Sequence, residues 1–195
     1  MRNLEKMLSR ITEISKKYNL SHLGSCYTSL AIINLIYSIK EENEPFVLSS
    51  GHAGLALYVV IEEYYGIDAE KIFAHHGTHP DRCEECKLDC STGSLGHGLP
   101  IALGMALADR SRNVFCLISD GEVTEGSIWE SINVIRKYEV NNLIIYLNWN
   151  GWSAYDKVDQ KMIESLRWML PSINMWGTRV EDYGLKGLSA HYVKL

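Results

Sequence analysis

Leu4, Met7, Leu8, Ile11 and Ile14 recur at steps of three and four, with Arg2, Glu5, Lys6, Glu13 and Lys16 on the opposite side. That spacing predicts an amphipathic helix. The loop from Leu20 to Ser25 follows, and a second helix is predicted from about Thr28 to Lys40, with Leu30, Ile33, Ile36 and Tyr37 inward. Glu41 to Pro45 breaks it. Phe46-Val47-Leu48 is too short for a helix and is bounded by turn formers, which predicts a buried strand. Ser49-Ser50-Gly51-His52 then turns into a predicted helix from Ala53 to Tyr65. Residues 74–94 show no clean period and hold His75, His76, His79, Cys83, Cys86 and Cys90. A loop of that length in a compact domain is usually functional or metal-bound.

Helical spacing returns from about Leu99 to Arg110, and the rest of the chain alternates regularly. Val114 to Ile118 and Leu143 to Leu147 are uninterrupted apolar runs, expected as strands buried on both faces. Helices are predicted from about Ser127 to Tyr138 and from Asp159 to Met169, with a last strand near Thr178-Arg179-Val180. Strands that alternate with helices predict a mostly parallel sheet covered on both faces. The expected fold is one doubly wound α/β domain spanning residues 1–195.

Composition narrows the function classes. Of 195 residues, 46% are apolar and 22% charged, the balance of a globular domain rather than a disordered or fibrous chain. Nineteen basic against 24 acidic residues give a net charge of −5, which argues against nucleic acid or an anionic membrane as the main partner. Five cysteines, an odd number, and no secretory or membrane-spanning pattern make a reducing cytoplasm the expected setting.

Ligands of parallel α/β sheets sit beyond the carboxyl ends of the strands. Ser119-Asp120-Gly121-Glu122 occupies such an end, where the glycine permits close backbone approach and the next helix offers free N–H groups to an anion. Asp120 would repel a phosphate unless a cation lay between them. Mg²⁺ resolves the conflict, since it accepts carboxylate, amide oxygen, diphosphate oxygen and water together. Asn150 closes the next strand thirty residues later and is placed to supply the neutral oxygen. Asp-Gly and Asn-Gly are also common turn pairs, so the residues alone leave an ordinary turn open as the alternative.

Ser119-Asp120-Gly121 through Asn150 resembles the thiamine diphosphate fingerprint, Gly-Asp-Gly ending in Asn. The surrounding motifs resemble the N-terminal half of transketolase, in order: Ser21-His22-Leu23-Gly24-Ser25, Leu48-Ser49-Ser50-Gly51-His52-Ala53, Thr78-His79-Pro80-Asp81, Ser91-Thr92-Gly93-Ser94-Leu95-Gly96-His97-Gly98 and Glu125-Gly126. The resemblance implies that Asp120, Asn150 and the carbonyl of Trp152 bind Mg²⁺ (or Ca²⁺ or Mn²⁺). It implies that Gly93, Ser94, Leu95, Gly96, His97, Gly121, Glu122 and Asn150 surround thiamine diphosphate. His22, His52 and His79 would then face the substrate, Glu125 would lie at a subunit interface, and His191 would reach the diphosphate. The sequence departs from the family at Ser119, where glycine is usual, at His97, where glutamine is usual, and between about Gln160 and Gly184.

In that family the glutamate that activates the cofactor's pyrimidine comes from a separate domain, for which the 45 residues after Asn150 are too few. The expectation is one subunit of a split transketolase, in a heterotetramer with a second chain that carries the pyrimidine-binding domain. It would move a two-carbon ketol unit between sugar phosphate or nucleotide-sugar substrates. A 2-oxo acid dehydrogenase or decarboxylase component, a deoxyxylulose-phosphate-type synthase, and a non-catalytic module that keeps the fold are the alternatives. Cys83, Cys86 and Cys90, with the nearby histidines, also have a spacing suited to structural zinc.

Overall fold

A computed structural model describes residues 2–192 and Lys194; Met1, Val193, Leu195 and the side chain of His191 lie outside the described residues. Four parallel strands, β1 (Phe46–Leu48), β2 (Val114–Ser119), β3 (Leu143–Trp149) and β4 (Asn174–Gly177), form a sheet in sequential order. In register, Leu48 lies beside Leu117, Leu117 beside Tyr146, and Ser119 beside Asn148. The carboxyl ends of β2 and β3 are thereby brought level.

Side chains alternate across the sheet, as a period of two requires. Phe46, Leu48, Phe115, Leu117 and Tyr146 enter the core on one face, shared with α1 (Leu4–Tyr18), α2 (Leu23–Ile39), α3 (Gly54–Tyr65) and α4 (Ala69–His76). Val47, Cys116, Ile118, Ile145 and Leu147 enter the core on the other, shared with α5 (Gly98–Ala108), α6 (Gly126–Lys137) and α7 (Gln160–Met169). With both faces covered, the strands can be apolar throughout, which is why their sequences show unbroken runs. No helix among the described residues is long and apolar enough to cross a membrane.

Three elements differ from the sequence-based expectation. The second helix begins at Leu23, not Thr28, because His22 takes a left-handed conformation (φ 66°) that turns the chain directly into it. Residues expected as an irregular segment after position 74 start inside α4, capped by Asp68, whose carboxylate accepts from the amides of Glu70 and Lys71. The last strand is Asn174–Gly177; Val180, expected within that strand, instead begins a short 3₁₀ turn.

Candidate functional site

A cleft of about 210 Å³ opens at the carboxyl ends of the strands. Asp120, Gly121 and Asn150 form its floor with Trp152 and Ser153, and His22, His52 and His79 line it together with Gly93 and Leu95. Residues separated by more than a hundred positions thus converge on one cavity.

Asp120 is fully buried. Its Oδ1 accepts from the Gly121 amide at 3.0 Å and its Oδ2 from the Gly151 amide at 2.6 Å. Gly151 has φ 86°, the left-handed backbone that glycine adopts without steric cost, and this turn delivers its N–H to the carboxylate. Burial pushes the Asp120 carboxyl up to about 7, against the opposing pull of the surrounding amides. Among the described residues no lysine or arginine pairs with it. Each carboxylate oxygen keeps a lone pair beyond its amide bond. A buried carboxylate of this kind fits a divalent cation, which would supply the missing positive charge.

Asn150 lies in the same cleft, just past the end of β3. Its Oδ1 accepts from the Trp152 amide at 2.9 Å, which fixes the side-chain oxygen and the loop together. The Trp152 carbonyl oxygen lies 3.9 Å from where a Cβ on Gly121 would stand, so it reaches the same end of β2. Carboxylate, amide oxygen and backbone carbonyl are the hard oxygen ligands that Mg²⁺ or Ca²⁺ takes.

Imidazoles form the upper wall. His52 Nε2 pairs with Ser25 Oγ at 2.9 Å, and Ser21 Oγ lies 3.0 Å from His22 Nδ1. The rings of His22 and His52 have centroids 5.8 Å apart. His22 is half-buried; burial, and then the neighbouring His79, hold its pKa below the ordinary 6.5. The His79 ring covers Gly93, where a Cβ would approach its carbons to 3.2 Å.

Of the other residues singled out in the sequence, Ser94 and His97 are exposed and Glu125 half-buried, outside the cleft lining. Gly96 and Glu122 are buried and likewise outside the cleft lining. Glu122 is fully buried and accepts from Ser49 Oγ at 2.5 Å, the Gly96 amide at 2.9 Å and the Ser119 amide at 2.8 Å. It therefore ties the ends of β1 and β2 to the loop before α5. His191 was expected to reach the diphosphate, but its side chain lies outside the described residues.

Asn148 is a further polar residue near the end of β3. This buried amide donates to Thr28 Oγ1 at 2.9 Å and Ser29 Oγ at 3.1 Å, and it accepts from Thr178 Oγ1 at 2.7 Å. The signal was available: a polar residue inside the apolar run that forms β3 must find buried partners. The cysteine set also differs from expectation. Cys83 and Cys86 gather with His76, whereas Cys90 is buried in the core on the far face of the sheet.

Fold and cleft define a parallel α/β domain with Asp120, Asn150 and three histidines gathered at the carboxyl edge of its sheet. The family model for the transketolase thiamine diphosphate binding domain matches residues 37–179, and the chain belongs to that family. It is 34% identical to human transketolase over 145 residues, which is 65% of this chain and 23% of that protein. It is 30% identical over 187 residues to an apulose-4-phosphate transketolase subunit of Phocaeicola vulgatus, covering 84% of this chain and 65% of that relative. Transketolase of Leishmania mexicana shares the fold, with a TM-score of 0.69 at 19% identity over 87% of this chain and 31% of that one. The chain thus spans less than two thirds of each of these relatives.

Proposed function

We propose that this chain is the diphosphate-binding subunit of a two-chain transketolase, transferring a two-carbon ketol unit from a ketose to an aldehyde acceptor. The observation that carries the proposal is the buried Asp120 carboxylate, lacking a lysine or arginine partner among the described residues, with Asn150 at the adjoining strand end beneath three imidazoles. Asp120, Asn150 and the Trp152 carbonyl would hold Mg²⁺, and Gly121, Gly93 and Leu95 would lie against the cofactor. Thiamine diphosphate, when bound, supplies the nucleophilic carbon and the electron sink for carbon–carbon bond cleavage. His22, His52 and His79 bind the hydroxyl groups of a sugar or sugar phosphate and move protons at them, a task suited to imidazoles near neutrality. Ser25 and Ser21 fix the ring orientations.

A partner chain is supported by relatives in Phocaeicola vulgatus and Actinobacillus succinogenes that are themselves named as subunits of apulose-4-phosphate transketolase. It would bring the pyrimidine-binding domain and meet Glu125 and His97, both accessible beside the cleft, in a heterotetramer of two plus two located in the cytoplasm. Purified alone, the chain is expected to transfer no ketol unit at an enzymatic rate. Combined with a polypeptide carrying a pyrimidine-binding domain, it is expected to do so from a ketose phosphate. Full activity of the single chain, or carbon dioxide release from pyruvate by the complex, would overturn the proposal.

A further inference from the structure

Residues 77–97 connect α4 to α5 without a helix or strand, yet they carry three parts of the cleft wall, His79, Gly93 and Leu95. Something must order this segment. Cys83 and Leu88 exchange both backbone hydrogen bonds, at 2.9 and 2.8 Å, and close a tight hairpin around Cys83-Glu84-Glu85-Cys86. Lys87 turns the chain back with φ 56°, a conformation uncommon for a residue with a Cβ. Within the hairpin the Cys86 amide donates to Cys83 Sγ at 3.2 Å, which orients that sulfur. His76, the last residue of α4, places Nε2 3.4 Å from Cys86 Sγ. The three ligand atoms lie within 4.8 Å of one another.

Zinc–sulfur bonds of about 2.3 Å and zinc–nitrogen bonds of about 2.0 Å put tetrahedral ligand atoms roughly 3.5–3.8 Å apart. His76 and Cys86, at 3.4 Å, are already close to that separation, and a small closure of the hairpin brings in Cys83. Two thiolates and an imidazole select zinc over the hard cations suited to Asp120. We propose that His76, Cys83 and Cys86 form a zinc site that clamps the hairpin to the end of α4, with water at the fourth position. As the two zinc–sulfur bonds form, Cys83 and Cys86 each release a proton to solvent. Cys90 has no part in it. None of the three ligands lines the cleft, so the metal acts by positioning: it fixes the chain on both sides of the hairpin, where His79 and Gly93 pack together. The zinc site stands independently of the cofactor proposed above.

The test uses the full chain, purified under reducing conditions, loaded with Zn²⁺ and desalted. Elemental analysis is expected to give one zinc per chain, lost in Cys83→Ser, Cys86→Ser and His76→Gln and kept in Cys90→Ser. Co²⁺ should give the wild-type protein a sulfur-to-metal charge-transfer band and intense tetrahedral ligand-field bands, which decides the matter even if a ligand variant fails to fold. Hydrogen exchange of residues 78–95 should slow on zinc addition. A wild-type chain that retains no zinc would overturn the site, as would loss of the metal in Cys90→Ser with a normally folded chain. Formation of a Cys83–Cys86 disulfide at a rate indifferent to added zinc would overturn it equally.

Discussion

The Gly96 amide donates to Glu122 Oε1 across 2.9 Å, and that bond fastens the loop before α5 to the end of β2. The same carboxylate holds Ser49 at the end of β1 and the backbone of Ser119. One buried side chain thus fixes three of the segments that shape the cleft. Gly96 has φ 78°, and a Cβ there would stand 2.5 Å from Ser127 Oγ, so the approach of amide to carboxylate depends on glycine.

Replacing Glu122 leaves the Ser49 hydroxyl and the Gly96 and Ser119 amides buried without their acceptor. Glu122→Ala is expected to destabilise the chain by about 3 kcal/mol, since each orphaned donor bears its own desolvation cost. Urea denaturation should show a lowered midpoint with little change in slope. A midpoint equal to wild type would mean that the network contributes nothing.

His22 sets a pH dependence of known sign. Its native pKa lies below the ordinary 6.5 because the ring is half-buried, with His79 adding repulsion; His52 and Tyr192 are among its ring neighbours. The unfolded chain therefore takes up this proton first as the solution is acidified. Stability should fall as pH drops through 6.5 toward the native value and level off below it. Nuclear magnetic resonance titration of the His22 ring should give a midpoint below 6.5, and His22→Gln should remove this component from the stability curve. A His22 midpoint above 6.5 contradicts the burial argument.

Asn148 is expected to matter for stability rather than chemistry. Asn148→Ala removes the amide that joins Thr28, Ser29 and Thr178, and should cost about 2 kcal/mol while leaving the Asp120 carboxylate and its amide partners in place. Chemical denaturation and calorimetric binding of Mg²⁺ with thiamine diphosphate separate the two effects. Loss of binding with unchanged stability would reverse this assignment.

The strands were legible because both faces of the sheet are covered, so Val114 to Ile118 and Leu143 to Leu147 stand out as apolar runs. The Asp120 and Asn150 placement followed from those strand ends. By contrast, the start of α2 turns on the left-handed backbone of His22, which no periodicity encodes. The strand Asn174–Gly177 lacks the β-branched residues that drew attention to Thr178 and Val180. The partners of Glu122 were not legible for a different reason: the 3₁₀ turn from Asp120 to Thr124 sends two carboxylates that are near neighbours in sequence to different groups, Glu122 to Ser49 Oγ and Asp120 to the Gly121 amide. Cys90 likewise follows the hairpin in sequence but turns into the opposite core.

In the proposed function, Asp120 recruits a divalent cation and, through it, the diphosphate. Calorimetric titration of thiamine diphosphate into the chain, in the presence of its partner, should give saturable binding with Mg²⁺ that vanishes with EDTA and in a folded Asp120→Ala variant. Binding of equal strength without the cation, or in Asp120→Ala, would contradict that role of Asp120.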